Sequence, residues 1–126
     1  MDDIGLLSLS ELSRRLRSRE LSPIELTQRY IDRIAELDEG LHSFNCVRAD
    51  GALKDAARAE AQILRRQWLG PLHGVPIGIK DLIDVAGLPT TAQAAHRRDA
   101  IAQEDAGVVT ALKQAGAIIL GKQATA

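Results

Sequence analysis

Apolar residues recur along this chain with two different periods, and the change from one to the other divides it. Leu9, Leu12 and Leu16 share one face of a helix that runs to about Ser18. Ser8 and Glu11 in front of it have the spacing of a capping box, the hydroxyl taking an orphan backbone N–H and the carboxylate reaching back to the cap. Ser22-Pro23-Ile24-Glu25 repeats the start signal with proline at the first helical position, where its missing N–H costs nothing. Leu26, Tyr30, Ile34 and Leu37 then form a stripe that ends before Gly40. From His42 to Arg48 the pattern alternates, with Phe44 and Cys46 on one side, which suits a short strand. A third, alanine-rich helix is predicted from Asp50 to about Leu69, with Leu53, Ala57, Ala61, Leu64 and Trp68 inward and Gly70-Pro71 as its stop.

At Gly74 the period shortens to that of a strand. Val75, Ile77 and Ile79 fall on one face, and Gly74, Pro76, Gly78 and Lys80 on the other. Gly87-Leu88-Pro89-Thr90-Thr91 reads as a turn or loop, and a helix starts at Asp105 with Val108, Val109, Leu112 and Ala115 inward before Gly116 closes it. Ala117-Ile118-Ile119-Leu120-Gly121 is an unbroken apolar run, the mark of a strand covered on both faces. Two strands joined through a helix make a crossover unit, so the predicted class is α/β, with part of a mixed sheet and flanking helices. Residues 1–49 are read as a helical appendage with a short strand, and residues 50–126 as the start of the α/β core.

With 126 residues, 45% apolar and 26% charged, the chain has the make-up of one soluble domain with a modest core. Sixteen Lys and Arg against 17 Asp and Glu leave a formal charge of −1, so no global field draws it to nucleic acid or an anionic membrane. Tyr30, Phe44 and Trp68 are the only aromatics, too few for base-stacking platforms. No apolar run approaches the ~20 residues of a membrane span, and no basic leader opens the chain, which is read as soluble and cytoplasmic. Cys46 is a lone cysteine, read as a small core residue. His42, His73 and His96 lack ligand spacing and are read as surface or loop residues, so no metal is expected. Arg14, Arg15, Arg17 and Arg19, flanked by Glu11 and Glu20, read as a solvated face.

Lys80 is the residue that calls for an explanation. It ends a strand on the face whose other members are Gly74, Pro76 and Gly78, so the space above it is left open by side chains, and the glycines would let a backbone or ligand come close. The plainer alternative is a strand-end lysine reaching water. Asp81 and Asp84 are read as local caps rather than a catalytic carboxylate pair, and Thr90 and Thr91 as turn residues.

Pro71-Leu72-His73-Gly74-Val75-Pro76-Ile77-Gly78-Ile79-Lys80-Asp81, then Gly87-Leu88-Pro89-Thr90-Thr91, Asp105-Ala106-Gly107-Val108-Val109 and Ala115 to Lys122 resemble the amidase signature family in order and spacing. The helices before them, with Leu21-Ser22-Pro23-Ile24-Glu25-Leu26, resemble that family's N-terminal helices more loosely. The resemblance implies a hydrolase of carboxylic amides with a nucleophilic serine, a second serine in a cis peptide and a lysine base, and Lys80 matches the lysine. Gly74, Pro76, Gly78, Asp81 and Thr91 are then structural residues near the site, and no organic cofactor or metal is called for. Such a base must be neutral to accept a proton, whereas a lysine in water at pH 7 is neutral in roughly one molecule in ~2,500. Burial in a closed site must supply the difference.

The chain departs from the family beyond Lys122, where the family continues into a Gly/Ser-rich segment carrying both serines. The serines present are Ser8, Ser10, Ser13, Ser18, Ser22 and Ser43, none in a nucleophile context. Gln93-Ala94 and Gln123 also depart from the family's usual residues. The chain is therefore expected to be inactive alone and to need the remainder of an amidase domain, or to pair with itself as a homo-oligomer through its open face and sheet edges. Two other readings are an inactive binding module and the amide-hydrolysing subunit of a tRNA-dependent amidotransferase.

Overall fold

The computed structural model describes residues 7–41, 43–91 and 100–124, with the backbone alone at residues 39 and 41. The elements run α1 (Leu9–Arg17), α2 (Pro23–Leu41), β1 (Phe44–Val47), α3 (Ala49–Leu64), β2 (Pro76–Lys80), α4 (Gly107–Gln114) and β3 (Ile118–Gln123). The sheet order is β1-β3-β2, with β3 parallel to β2 and antiparallel to β1. This is the predicted mixed α/β arrangement. His42, His96 and Gln93-Ala94 lie outside the described residues.

β3 is the central strand because its apolar run has no polar face to give to water. Ile118 and Leu120 pack with Ala52 and Ala56 of α3 and with Ile24, Tyr30, Ile31 and Ile34 of α2. Ile119, on the opposite side, packs with Ile79, Val85 and Val109. A third cluster joins Leu12, Leu16, Leu21 and Leu26 to Val75 at the start of β2. Helices therefore cover both faces of the sheet, the condition that lets a parallel pair be apolar throughout.

The helical stripes differ in phase from the sequence reading. The buried side of α3 is Ala52, Ala56, Ala59 and Ile63 rather than the predicted Leu53, Ala57, Ala61, Leu64 and Trp68, and Leu64 is 56% exposed. Small side chains face β3 because they let the helix axis come close, and the leucines move to the flank. α3 stops at Leu64 rather than Leu69, as the Arg65 N–H turns back to the carbonyls of Ala61 and Gln62 and Arg66 takes a φ of 62°. On α4 Val109 is buried but Val108 is 53% exposed, since neighbours on a helix point about 100° apart and only one can face the sheet. Leu9 and Leu37 are likewise exposed. Ser8 caps α1 through its Oγ, 3.2 Å from the Glu11 amide, but the Glu11 carboxylate binds Arg14 and Arg15 instead of closing the box.

His73 lies in the turn before β2 and is completely buried, not on the surface. Its Nδ1 accepts the Leu69 N–H at 3.1 Å, so the proton sits on Nε2, which donates to Gln62 Oε1 at 2.8 Å. Burial pushes its pKa below the usual histidine value. Gly116, at φ +87°, closes α4 directly against this ring, and a Cβ there would lie 2.5 Å from His73 Cδ2.

Two substitutions and a titration check this packing. A Cβ at Gly121 would sit 2.1 Å from the Cys46 carbonyl, so Gly121→Ala is expected to cost about 1–3 kcal/mol by urea unfolding. Gly40→Ala, with nothing within 4 Å, should cost nothing. Because His73 is held neutral in the fold, its contribution is complete above the unfolded pKa of about 6.5 and lost as pH falls below it. Unfolding free energy should therefore decline from about pH 6.5 downward, and His73→Asn should flatten that decline.

Candidate functional site

β2 and β3 end side by side with their carboxyl ends in the same direction, the edge of an α/β sheet where ligands bind. Lys80 closes β2 opposite Gln123, and Lys122 stands opposite Ile79. The two lysines have opposite surroundings. Lys80 is exposed, and its side chain has no hydrogen bond or ion pair to any described residue. Lys122 is fully buried.

A buried amine and carboxylate must be paired, and the geometry shows how. Lys122 Nζ lies 3.4 Å from Asp81 Oδ1 and donates to the Pro89 carbonyl at 3.0 Å and to Thr90 Oγ1 at 3.2 Å. The Asp81 carboxylate, also fully buried, accepts the Thr91 N–H at 3.0 Å, the Thr91 hydroxyl and the Asn45 side-chain amide. Thr90 Oγ1 in turn donates to Asp84 Oδ1 at 2.6 Å. Burial raises the Asp81 pKa, but the Thr91 and Asn45 hydrogen bonds and the Lys122 charge outweigh it and hold the carboxyl below the usual aspartate range. One node thus joins β1, the end of β2, the loop at 84–91 and β3.

Local backbone places each member. The Asp81 N–H continues the ladder to the Gln123 carbonyl at 2.9 Å, and the Ile83 N–H turns back to Lys80 at 3.0 Å. β1 carries one extra residue, Asn45, between the pairs Phe44–Gln123 and Cys46–Lys122. A bulge of this kind re-aims a side chain, here toward Asp81. The bridge between Pro89 and Ile101 clasps the long loop after β2 and brings Thr90 and Thr91 over the strand ends.

The remaining residues singled out from sequence lie along β2, and the open space expected over them is filled. Gly74, at φ +82°, lies against the Pro23 and Leu16 side chains. A Cβ on Gly78 would sit 2.6 Å from the Gln123 side chain, which covers it. Pro76 is buried at the start of β2, where its missing N–H costs no ladder bond because the Ile118 N–H reaches Val75. A groove of about 320 Å³ opens beside Gly78 and Gln123, walled by Tyr30, Ile34, Leu37 and Phe44. Asp81 and Thr91 belong to the buried node.

Sequence reasoning missed Lys122 as a partner in the site. The available signal was a lysine ending an unbroken apolar strand, since such a lysine is buried and needs a carboxylate in register. Among the described residues no group of three or more His, Cys, Asp or Glu side chains is placed to hold a metal ion, and no helix is long and apolar enough to cross a membrane.

The model for the family described as Amidase matches residues 25–126. An amidase of Pseudomonas putida is 40% identical over 126 residues, covering 99% of this chain and 26% of that protein. A glutamyl-tRNA(Gln) amidotransferase subunit from Cutibacterium acnes is 41% identical, covering 97% of this chain and 24% of its own length. Among solved structures, native peptide amidase from Stenotrophomonas maltophilia superposes with a TM-score of 0.89 at 34% identity, over 96% of this chain and 25% of that one. The chain thus spans about a quarter of the length of the relatives it matches.

Removing one partner of a buried pair strands the other charge. Lys122→Met should therefore lower the unfolding free energy by about 3–5 kcal/mol in a urea titration, and Asp81→Asn added to it should recover a large part of the loss.

Proposed function

Because this chain belongs to the amidase signature family, we propose that it carries the proton-accepting lysine of a serine-dependent amide hydrolase, with Lys80 as the base. The observation that supports this reading is the contrast between the two lysines at the sheet end. Lys122 is buried and committed to its acceptors, whereas the Lys80 side chain is exposed at the carboxyl edge of the parallel pair with no partner among the described residues.

In the complete enzyme a serine hydroxyl attacks the amide carbonyl while Lys80 takes its proton through a bridging serine. Backbone amides hold the oxyanion, the departing amine or ammonia leaves protonated, and water then releases the acid from the acyl-enzyme. The family resemblance puts both serines beyond Lys122, so residues 1–126 alone are inactive on this reading. The substrate is a small carboxylic amide. The remainder of the amidase domain is the partner that covers Lys80 and excludes water, supplying the desolvation that keeps a lysine base neutral. The reaction draws on no cofactor, and the site is cytoplasmic.

A second reading rests on the glutamyl-tRNA(Gln) amidotransferase subunits among the relatives. On this reading the released ammonia passes to a partner enzyme. Glutamine-dependent ammonia release that rises when a partner protein is added would favour it over a stand-alone amidase.

The test is ammonia release from carboxylic amides by the protein as its source cell makes it. Lys80→Ala should lower kcat by about 10²–10⁴-fold, the range removed with a general base. Activity within a factor of a few of the unaltered protein would end the assignment.

A further inference from the structure

A lysine base with an aspartate as its next residue has an electrostatic problem. A carboxylate beside the amine favours the ammonium form, which cannot accept a proton. Two devices in the fold separate Lys80 from this counter-charge.

The first is register. β2 and β3 pair as Pro76–Ile118 and Ile77–Ile119, then as Gly78–Gly121, so Leu120 is an extra residue in β3. Without that bulge Lys80 would stand directly opposite Lys122, a like-charge pair. With it, Lys80 faces the neutral Gln123, and Lys122 moves to the level of Ile79, within reach of Asp81. The second is saturation of the carboxylate. Asp81 receives the Thr91 N–H and hydroxyl, the Asn45 amide and Lys122, while Lys80 receives none of these groups and stays exposed.

We propose that Lys122 is a positioning residue for Lys80: by pairing with Asp81 it neutralises and immobilises the carboxylate that follows Lys80, so that this neighbour does not act as a counter-charge to the Lys80 amine. This rests on the reading of Lys80 as the base and adds what keeps it usable. Other charged groups near this edge among the described residues have hydrogen-bond partners of their own. Asp84 accepts the Thr90 hydroxyl, and Asp38 of α2 accepts the Ser43 and Phe44 amides. Arg33 of α2 lines the groove beside Gly78 and also has a partner.

The inference is tested on the protein as its source cell makes it, without any assay of hydrolysis, so it can fail independently of the amidase reading. Acetylation of each lysine by a trace amine-reactive acetyl ester is followed by peptide mass spectrometry between pH 6 and 10. In Lys122→Met the Asp81 charge is uncompensated, and acetylation of Lys80 at pH 7 should slow severalfold, because an uncompensated carboxylate on the next residue favours the unreactive ammonium form. Lys122→Arg should restore the original rate. If Lys122→Met does not fold, the double variant Asp81→Asn/Lys122→Met still decides. The pair being neutral as a unit, its removal should leave the Lys80 rate within about twofold of the unaltered chain. An unchanged Lys80 rate in a folded Lys122→Met, or a severalfold faster rate in the double variant, would overturn the proposal.

Discussion

The buried contact between Lys122 and Asp81 sets conditions that much of the remaining structure meets. Neither group touches solvent, so every polar atom of the pair needs a partner in the protein. The partners come from separate stretches of chain, Asn45 from β1, and Pro89, Thr90 and Thr91 from the loop after β2. Pairs of this kind add little net stability compared with an apolar substitute, but they penalise every arrangement that leaves one charge alone. Here the penalised arrangements are slips of β2 along β3 and displacement of the loop. The contact thereby specifies where Lys80 stands.

Both bulges serve the same end. The extra Leu120 in β3 shifts Lys122 away from Lys80, and the extra Asn45 in β1 turns an amide toward Asp81. Gly121, between them, has no room for a Cβ because the backbone of Cys46 and Val47 crosses close above it. An irregular central strand is costly in ladder hydrogen bonds, and it persists because β3 is held from both faces by apolar packing. The sheet supplies rigidity and its irregularities supply aim.

This arrangement also leaves one lysine at the sheet end uncommitted while the rest of β2 is packed. α1 and α2 fill the space over Gly74 through Leu16 and Pro23, and Gln123 covers Gly78, so the start and middle of β2 are packed within this chain. The described residues leave Lys80 itself uncovered. The basic run on α1 takes no part, as Arg14 and Arg15 are paired with Glu11 and Glu20.

Element type and order were legible from the chain alone because they rest on local rules. Ser8 and Pro23 start helices, Gly116 ends one, and the period of Val75, Ile77 and Ile79 declares a strand. The unbroken run at Ile118–Leu120 even announced a strand buried on both faces. The family was legible too, since spaced motifs survive as sequence. Three features were decided by tertiary structure. Which side of α3 faces inward depends on how closely the helix approaches β3, and alanines carry too weak a signal to show it. The burial of His73 depends on Gly116, more than forty residues along the chain, closing against its ring. The partnership of Lys122 with Asp81 depends on a one-residue bulge that no local pattern marks, because register is fixed by packing between strands and not within them.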